Sequence, residues 1–213
     1  MSSGDGDDYY HFTISEGKRV AASGNIQTLM KADGSLLDLS GVEGCYKYMF
    51  EDCTSLTRAP SLPALSLSFD CYTGMFSGCT SLSAAPNLPA TKLGVACYHD
   101  MFLDCSSIVQ VQQALPATTL SADCYRSMFS GCSSLAKAPD LPATELAEYC
   151  YHGMFARCGR LSSMNVSFSA WQPASSTNAW VRGVAQTGVF NCPQALPETH
   201  GVHYIPDGWS VQR

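Results

Sequence analysis

The stretch Cys71-Tyr-Thr-Gly-Met-Phe-Ser-Gly-Cys-Thr-Ser-Leu82 decides the fold, because its pattern occurs five times along the 213-residue chain. Successive copies start 26, 26, 27 and 26 residues apart. A fixed period of about 20 to 50 residues is typical of repeat proteins, in which each unit buries its apolar face against the next unit. The copies start near Cys45, Cys71, Cys97, Cys124 and Cys150.

Each copy places the same residue types at the same positions. Met-Phe begins four residues after the first cysteine, a second cysteine follows after eight, and Leu-Pro-Ala closes four of the units. In the last unit, residues 142–155 predict a helix of two to three turns with Thr144 as N-cap, since Leu146, Cys150 and Met154 recur every four residues. The run 55–60 is short and ends at a proline, which predicts a brief strand and a turn.

These units resemble the BspA-like leucine-rich repeats of surface proteins from gut and oral Bacteroidetes, whose pattern is roughly AFxxCxxLxxIxxP. The match is visible in Met75-Phe-Ser-Gly-Cys-Thr-Ser-Leu-Ser-Ala-Ala-Pro86, and the resemblance covers about residues 44 to 164. It implies an extracellular repeat domain used for adhesion, without a reaction. Similar repeats in phage proteins make a virion component the alternative.

The predicted fold class is therefore an α/β repeat. We expect a right-handed leucine-rich-repeat solenoid of about five 26-residue coils, each with a short helix or 3₁₀ turn and a short parallel strand. Strands in neighbouring coils lie about 4.8 Å apart and packed helices about 8 to 10 Å, so full helices would curve the array with its strands on the concave face. Single 3₁₀ turns would straighten it. The predicted domains are an N-terminal polar segment and cap (1–43), the solenoid (44–164) and a C-terminal cap (165–213) sealed by large aromatic side chains.

Composition narrows the class of partner. The chain has 12 basic and 18 acidic residues, a formal charge of −6, and no basic cluster, which argues against nucleic acid. No apolar run approaches the roughly 20 residues that span a bilayer. The acidic, polar start is unlike a secretory signal. Two localisations stay open: the cell surface, if a signal was removed, or a virion.

The cysteines and histidines give no predicted metal site or cofactor. Ten of the 11 cysteines fall in the two repeat columns, no CxxC occurs, and only Cys192 stands apart. If the columns lie on helices, neighbouring thiols are about 8 to 10 Å apart, too far for disulfides, so buried free thiols are expected. A solvent-facing column is predicted for His99 and His152, because Lys, Thr and Arg share its positions. Glu198, His200 and His203 form a loose cluster that more often belongs to an ordinary loop.

No catalytic residues are predicted, because the chain lacks a nucleophile elbow, a P-loop and an HExxH motif. The predicted function is a non-catalytic binding or adhesion module for a protein or glycan partner, with oligomerisation through the caps possible; the alternative is a structural or decoration protein of a phage virion or other assembly. Recognition is expected in the two columns that vary between repeats beside the strand, which we call the strand columns. They are Thr57, Ser83, Val109, Ala136, Ser162 and Arg58, Ala84, Gln110, Lys137, Ser163. The predicted partner-facing residues are Thr57, Arg58, Ser83, Val109, Gln110, Ala136 and Lys137.

Overall fold

The computed structural model describes residues 19–111 and 114–213. This part of the chain consists mostly of short strands, turns and loops, with one 3₁₀ helix at Ile26–Leu29. The predicted N-terminal polar segment and cap spans residues 1–43. Its first 18 residues lie outside the described residues. The strands are β1 (Val20–Ala21), β2 (Asp38–Leu39), β3 (Leu56–Arg58), β4 (Ser66–Leu67), β5 (Ser163–Asn165), β6 (Gly188–Asn191) and β7 (Trp209–Gln212).

The strands pair in parallel, as predicted for the segment after the second cysteine. β1 pairs with β3, β2 with β4, and β5, β6 and β7 form a three-stranded sheet in that order. Single parallel bridges, such as Ala84 with Gln110 and Lys137 with Ser163, continue the pairing between the named strands. Equivalent positions of successive repeats are therefore direct backbone neighbours.

The predicted helix over residues 142–155 is not an α-helix, and the equivalent segments of the other repeats are turns as well. In these segments the backbone N–H groups alternate between two kinds of acceptor, one within the same repeat and one in the next repeat. The Lys47 N–H donates to the Gly44 carbonyl three residues back at 3.1 Å. The neighbouring Tyr46 N–H donates instead to the Cys71 carbonyl of the next repeat at 2.9 Å. We call these stacked segments the turn ladder: residues 44–53, 70–79, 96–105, 123–132, 149–158 and 175–184.

Positive φ angles explain why the ladder replaces a helix. In each of the five repeats three positions, four residues apart, have φ between 50° and 78°. Such a φ is incompatible with a right-handed helix and is disfavoured for residues other than Gly, Asp and Asn. Five of these 15 positions are glycine and five are aspartate, so the local sequence favours the turns. They are Gly44, Tyr48, Asp52, Asp70, Gly74, Gly78, Ala96, Asp100, Asp104, Asp123, Ser127, Gly131, Tyr149, Gly153 and Arg157.

The close spacing of the ladder also arranges the core. Phe76 and Phe102 are fully buried and stacked with nearly parallel ring planes, their centroids 5.6 Å apart. Tyr72 and Tyr98 stack in a parallel column at 5.7 Å. Packed helices about 8 to 10 Å apart would not allow these contacts. Backbone hydrogen bonds thus join the repeats on the turn side as well as on the strand side.

The ladder continues beyond residue 164, into the segment predicted as the C-terminal cap. The Tyr151 N–H donates to the Ser176 carbonyl and the Phe155 N–H to the Trp180 carbonyl, as between true repeats. Ser176 thus takes the place of the first cysteine and Trp180 that of the methionine. Trp180 is fully buried, and its ring packs against those of Tyr151 and Phe155 at the ends of both ring columns.

Candidate functional site

The strand columns lie side by side along the repeats, as their sequence spacing predicts. The Val109 N–H donates to the Ser83 carbonyl and the Ala136 N–H to the Val109 carbonyl, both at 3.4 Å. The Ser162 N–H donates to the Ala136 carbonyl at 3.0 Å. In the second column the bridges of Ala84 with Gln110 and of Lys137 with Ser163 give the same register.

Most of the predicted partner-facing residues are exposed. Thr57 is the exception: it is half-buried, and its hydroxyl donates to the Val20 carbonyl of β1 at 3.0 Å, which ties it to the N-terminal strand. Val109 leaves 52% of its surface in solvent although its neighbour Ile108 is fully buried. The exposed ones are Arg58, Ser83, Val109, Gln110, Ala136 and Lys137.

The charge of this surface differs from that of the whole chain. Arg58 and Lys137 are the two charged residues among the ten positions, and both are basic, whereas the chain carries a formal charge of −6. Three repeat spacings of about 4.8 Å separate them along the array, or roughly 14 Å. The pair therefore suits an extended partner with negative charges in two places better than one small anion.

A groove of about 360 Å³ begins beside Arg58 and runs between the first two repeats. Apart from Ala84, which belongs to the strand columns, the remainder of its lining comes from the Ala-Pro turns after each strand, which were not predicted to be partner-facing. A smaller cavity of about 40 Å³ adjoins it at Ala85–Leu88, with Val111, Ala114 and Leu115. The groove is lined by Arg58, Ala59, Pro60, Ser61, Ala84, Ala85, Pro86 and Asn87.

The turn ladder carries several acid–base pairs between its own residues. Lys47 Nζ lies 2.8 Å from Asp70 Oδ2, and Arg157 Nη2 lies 3.0 Å from Asp104 Oδ1. These charges largely neutralise one another at short range. Lys47 and Arg157 are therefore already paired with acidic residues of the ladder itself.

The histidine column, predicted to face solvent, is only partly exposed: the His99 and Arg126 side chains are 30% and 39% exposed. Thr73, an equivalent of His99, is buried, and its hydroxyl donates to the Ala96 carbonyl at 2.6 Å. His152 Nδ1 is enclosed without a hydrogen-bond partner among the described residues. Burial, and then the nearby Arg126 guanidinium, lower the pKa of His152, so its neutral form is favoured.

The C-terminal Glu-Thr-His-Gly-Val-His segment forms internal contacts. His203 Nδ1 accepts the Ala179 N–H at 2.9 Å, which ties this loop to the last ladder segment. His200 Nε2 lies 3.6 Å from a Glu198 carboxylate oxygen, and Arg213 contacts the same carboxylate at 3.2 Å. Within residues 19–111 and 114–213, no group of three or more His, Cys, Asp or Glu side chains is arranged to hold a metal ion.

The second cysteine column has a structural role that the spacing did not reveal. The Cys79 thiol donates to the Phe50 carbonyl at 3.0 Å, and Cys105 donates to the Phe76 carbonyl at the same distance. Each thiol thus joins its repeat to the preceding one. Burial raises the pKa of Cys79 and Cys158 to about 12, so these sulfurs stay protonated at neutral pH and are poor nucleophiles.

Comparison of the chain with protein-family models, with curated proteins and with solved structures finds no match. In the part of the chain that the structure describes, no helix has the length and apolar character needed to cross a bilayer.

Proposed function

We propose that the chain is a non-catalytic binding module that holds a protein or glycan partner on its strand columns. In this proposal the repeats form a right-handed solenoid of the BspA-like leucine-rich-repeat type, displayed outside the cell. The observation that carries it is the contrast between repeated and variable positions. The repeated Cys, Tyr, Met, Phe and Leu columns are buried, while variable positions such as Arg58, Gln110 and Lys137 are exposed in adjacent rows.

Shape and charge favour an extended partner with acidic groups. The groove beside Arg58 lies between the first two repeats and is open to solvent. Gln110 lies between the two basic residues and adds an amide that can donate and accept hydrogen bonds. An acidic peptide segment or an acidic polysaccharide has the length and charge spacing to contact Arg58 and Lys137 together.

The proposal is tested by applying the fluorescently labelled chain to printed arrays of neutral and acidic glycans and of acidic, basic and neutral peptides. The triple variant R58E/Q110E/K137E reverses the charge of the strand columns, and all three substituted residues are exposed. We expect the unmodified chain to bind at least one acidic class and the variant to bind it about tenfold more weakly or worse.

A matched control separates a local effect from a change in net charge. The variant K31E/S133E/R182E changes the formal charge by the same amount at exposed positions outside the strand columns, and it should bind as the unmodified chain does. Equal loss in both variants would show that only overall charge matters. Unchanged binding by R58E/Q110E/K137E, with its unfolding midpoint preserved, would contradict the proposed surface.

A further inference from the structure

The turn ladder brings two thiols of the first cysteine column into contact. Cys45 Sγ lies 2.7 Å from Cys71 Sγ. The backbone supports this approach, since the Tyr46 N–H donates to the Cys71 carbonyl and makes the two cysteines direct neighbours in adjacent repeats. Such neighbours have Cα atoms about 5 Å apart, within the range of about 4.4 to 6.8 Å that disulfides require. The sequence-based reason for excluding this pair, a helix spacing of about 8 to 10 Å, therefore fails.

The exposure of Cys45 distinguishes this pair from the rest of the column. Cys45 is half-buried, whereas Cys71, Cys97, Cys124 and Cys150 have no solvent-accessible surface. A soluble oxidant can thus reach Cys45, while Cys71 needs to reach only the Cys45 sulfur beside it. In the second column the thiols make other hydrogen bonds, since Cys79 and Cys105 donate to phenylalanine carbonyls.

We propose that Cys45 and Cys71 form a disulfide that links the first two repeats when the protein meets a disulfide oxidant. The bond would close a loop of 25 intervening residues and shorten the present sulfur–sulfur distance to the covalent value of about 2.05 Å. The ladder already holds the two residues as direct neighbours, so only a small movement of the two sulfurs is required.

The reaction follows ordinary thiol–disulfide exchange with a small-molecule disulfide such as oxidised glutathione. The Cys45 thiolate attacks one glutathione sulfur, a bond between them forms, and the other glutathione leaves as a thiolate. The Cys71 thiolate then attacks the Cys45 sulfur and displaces the second glutathione. Two protein thiols are oxidised to one disulfide, the oxidant is reduced to two glutathione molecules, and the two cysteine protons pass to the released thiolates.

Burial of Cys71 slows the second step. In the reduced chain the hydrogen bond with Cys45, and then burial, raise the pKa of Cys71; once Cys45 carries glutathione that hydrogen bond is gone, and burial still keeps the pKa raised. Its thiolate is therefore scarce at neutral pH, and the disulfide should form faster as the pH rises. In an oxidising compartment, where disulfides persist, slow formation would still lead to the linked form.

The test uses the full reduced chain, incubated with excess oxidised glutathione at alkaline pH, then denatured and alkylated with N-ethylmaleimide. The chain has 11 cysteines, so one disulfide leaves nine alkylated residues by intact mass. Trypsin separates Cys45, in peptide 32–47, from Cys71, in peptide 59–92. We expect these peptides to be linked until a reductant is added, with fragment spectra that assign the bond to Cys71 rather than Cys79.

Two variants control the assignment. C45S should leave all of its ten cysteines open to alkylation, whereas C192S, which removes the one cysteine outside both columns, should keep the link and show eight. Eleven alkylated cysteines in the unmodified chain would overturn the proposal. So would a disulfide between other residues, or glutathione retained on Cys45, since the latter would show that Cys71 cannot reach the mixed disulfide.

Discussion

The Asp104 side chain covers Gly131, its neighbour in the next repeat, and occupies the space into which a side chain at position 131 would project. Gly131 has φ of +78°, and a Cβ built there would also lie 3.1 Å from the Asp104 Cα. The same relationship joins Asp52 to Gly78 in an earlier pair of repeats. Large and small residues thus alternate along this column of the turn ladder.

G131A should lower the free energy of unfolding by about 1–2 kcal/mol or more, because an alanine is strained at this positive φ and crowds the Asp104 backbone. The Asp104 carboxylate can move aside, since it is more than half exposed. The loss of stability therefore comes mainly from the strained φ at residue 131 and from crowding of the Asp104 backbone. The measurement is chemical denaturation followed by circular dichroism. Gly159 provides the control, because its φ is not positive and its Cβ site meets nothing closer than 4.0 Å; G159A should change the midpoint little. Equal effects of the two substitutions would show that the ladder does not restrict residue 131.

At Arg157 the same backbone position carries a side chain that can be removed, since this residue is equivalent to Gly131 and has φ of +63°. R157A removes the ion pair with Asp104 but keeps a strained Cβ, while R157G removes both. We expect R157G to be more stable than R157A by about 1 kcal/mol, as measured by the difference between their unfolding free energies. At Arg160, where φ is not positive, the order should reverse, with R160A above R160G. The same order at both sites would contradict the assigned backbone.

The phenylalanine column should dominate stability. Phe102 is fully buried between Phe76 and Phe129, with ring centroids at 5.6 and 5.4 Å. F102A should lower the unfolding free energy by about 3–5 kcal/mol, because it leaves a cavity in the column. V109A removes an exposed side chain from the same repeat and should have an effect within about 0.5 kcal/mol. Thermal and chemical unfolding of both variants measure the difference, and a mild F102A would mean that the ring column does not hold the repeats together.

Alkaline pH should destabilise the folded chain. Burial raises the pKa of Cys79 and Cys158 from an ordinary value of 9.0 to about 12. Between these values the unfolded chain has lost thiol protons that the folded chain retains, so the unfolding free energy falls as the pH rises. Each such thiol contributes on the order of 1.4 kcal/mol per pH unit.

The measurement for this prediction is the unfolding midpoint between pH 9 and pH 12, with a reductant present to keep the cysteines as thiols. C79A removes one of the titrating groups and should make the decline shallower than in the unmodified chain. A midpoint that stays constant over this range would show that the thiols are accessible to hydroxide in the folded state.

Much of the fold follows from residue patterns alone. The recurrence of Cys-Tyr, Met-Phe and Leu predicted which side chains are buried, and Cys71, Met75, Phe76 and Leu82 are all fully enclosed or nearly so. The parallel pairing after the second cysteine was predictable too. So was the exposure of Arg58, Gln110 and Lys137, because residues that vary between repeats are not required for packing.

The helix predicted over residues 142–155 is wrong, whereas the alternative of a short 3₁₀ turn agrees better with the N–H groups that donate three residues back; the signal for these turns is split between repeats. The interval of four between Leu146, Cys150 and Met154 suits an amphipathic helix as well as a series of turns with a positive φ at every fourth residue. Comparing Gly74 and Gly78 with Asp100 and Asp104 would have revealed the preference for Gly and Asp at those positions. The role of Trp180 was harder to find, since Ser176 and Val181 replace the repeated Cys and Phe.

The sequence by itself determined the number of repeats, their period and the set of buried columns, because burial of apolar side chains depends on composition at each position. Only the tertiary structure decided where alternate N–H groups find their acceptors: the Tyr46 N–H needs the Cys71 carbonyl of the next repeat. An isolated repeat lacks that acceptor, so the ladder exists only when repeats are stacked. The same stacking set the distance between Cys45 and Cys71, which no spacing along the chain could give.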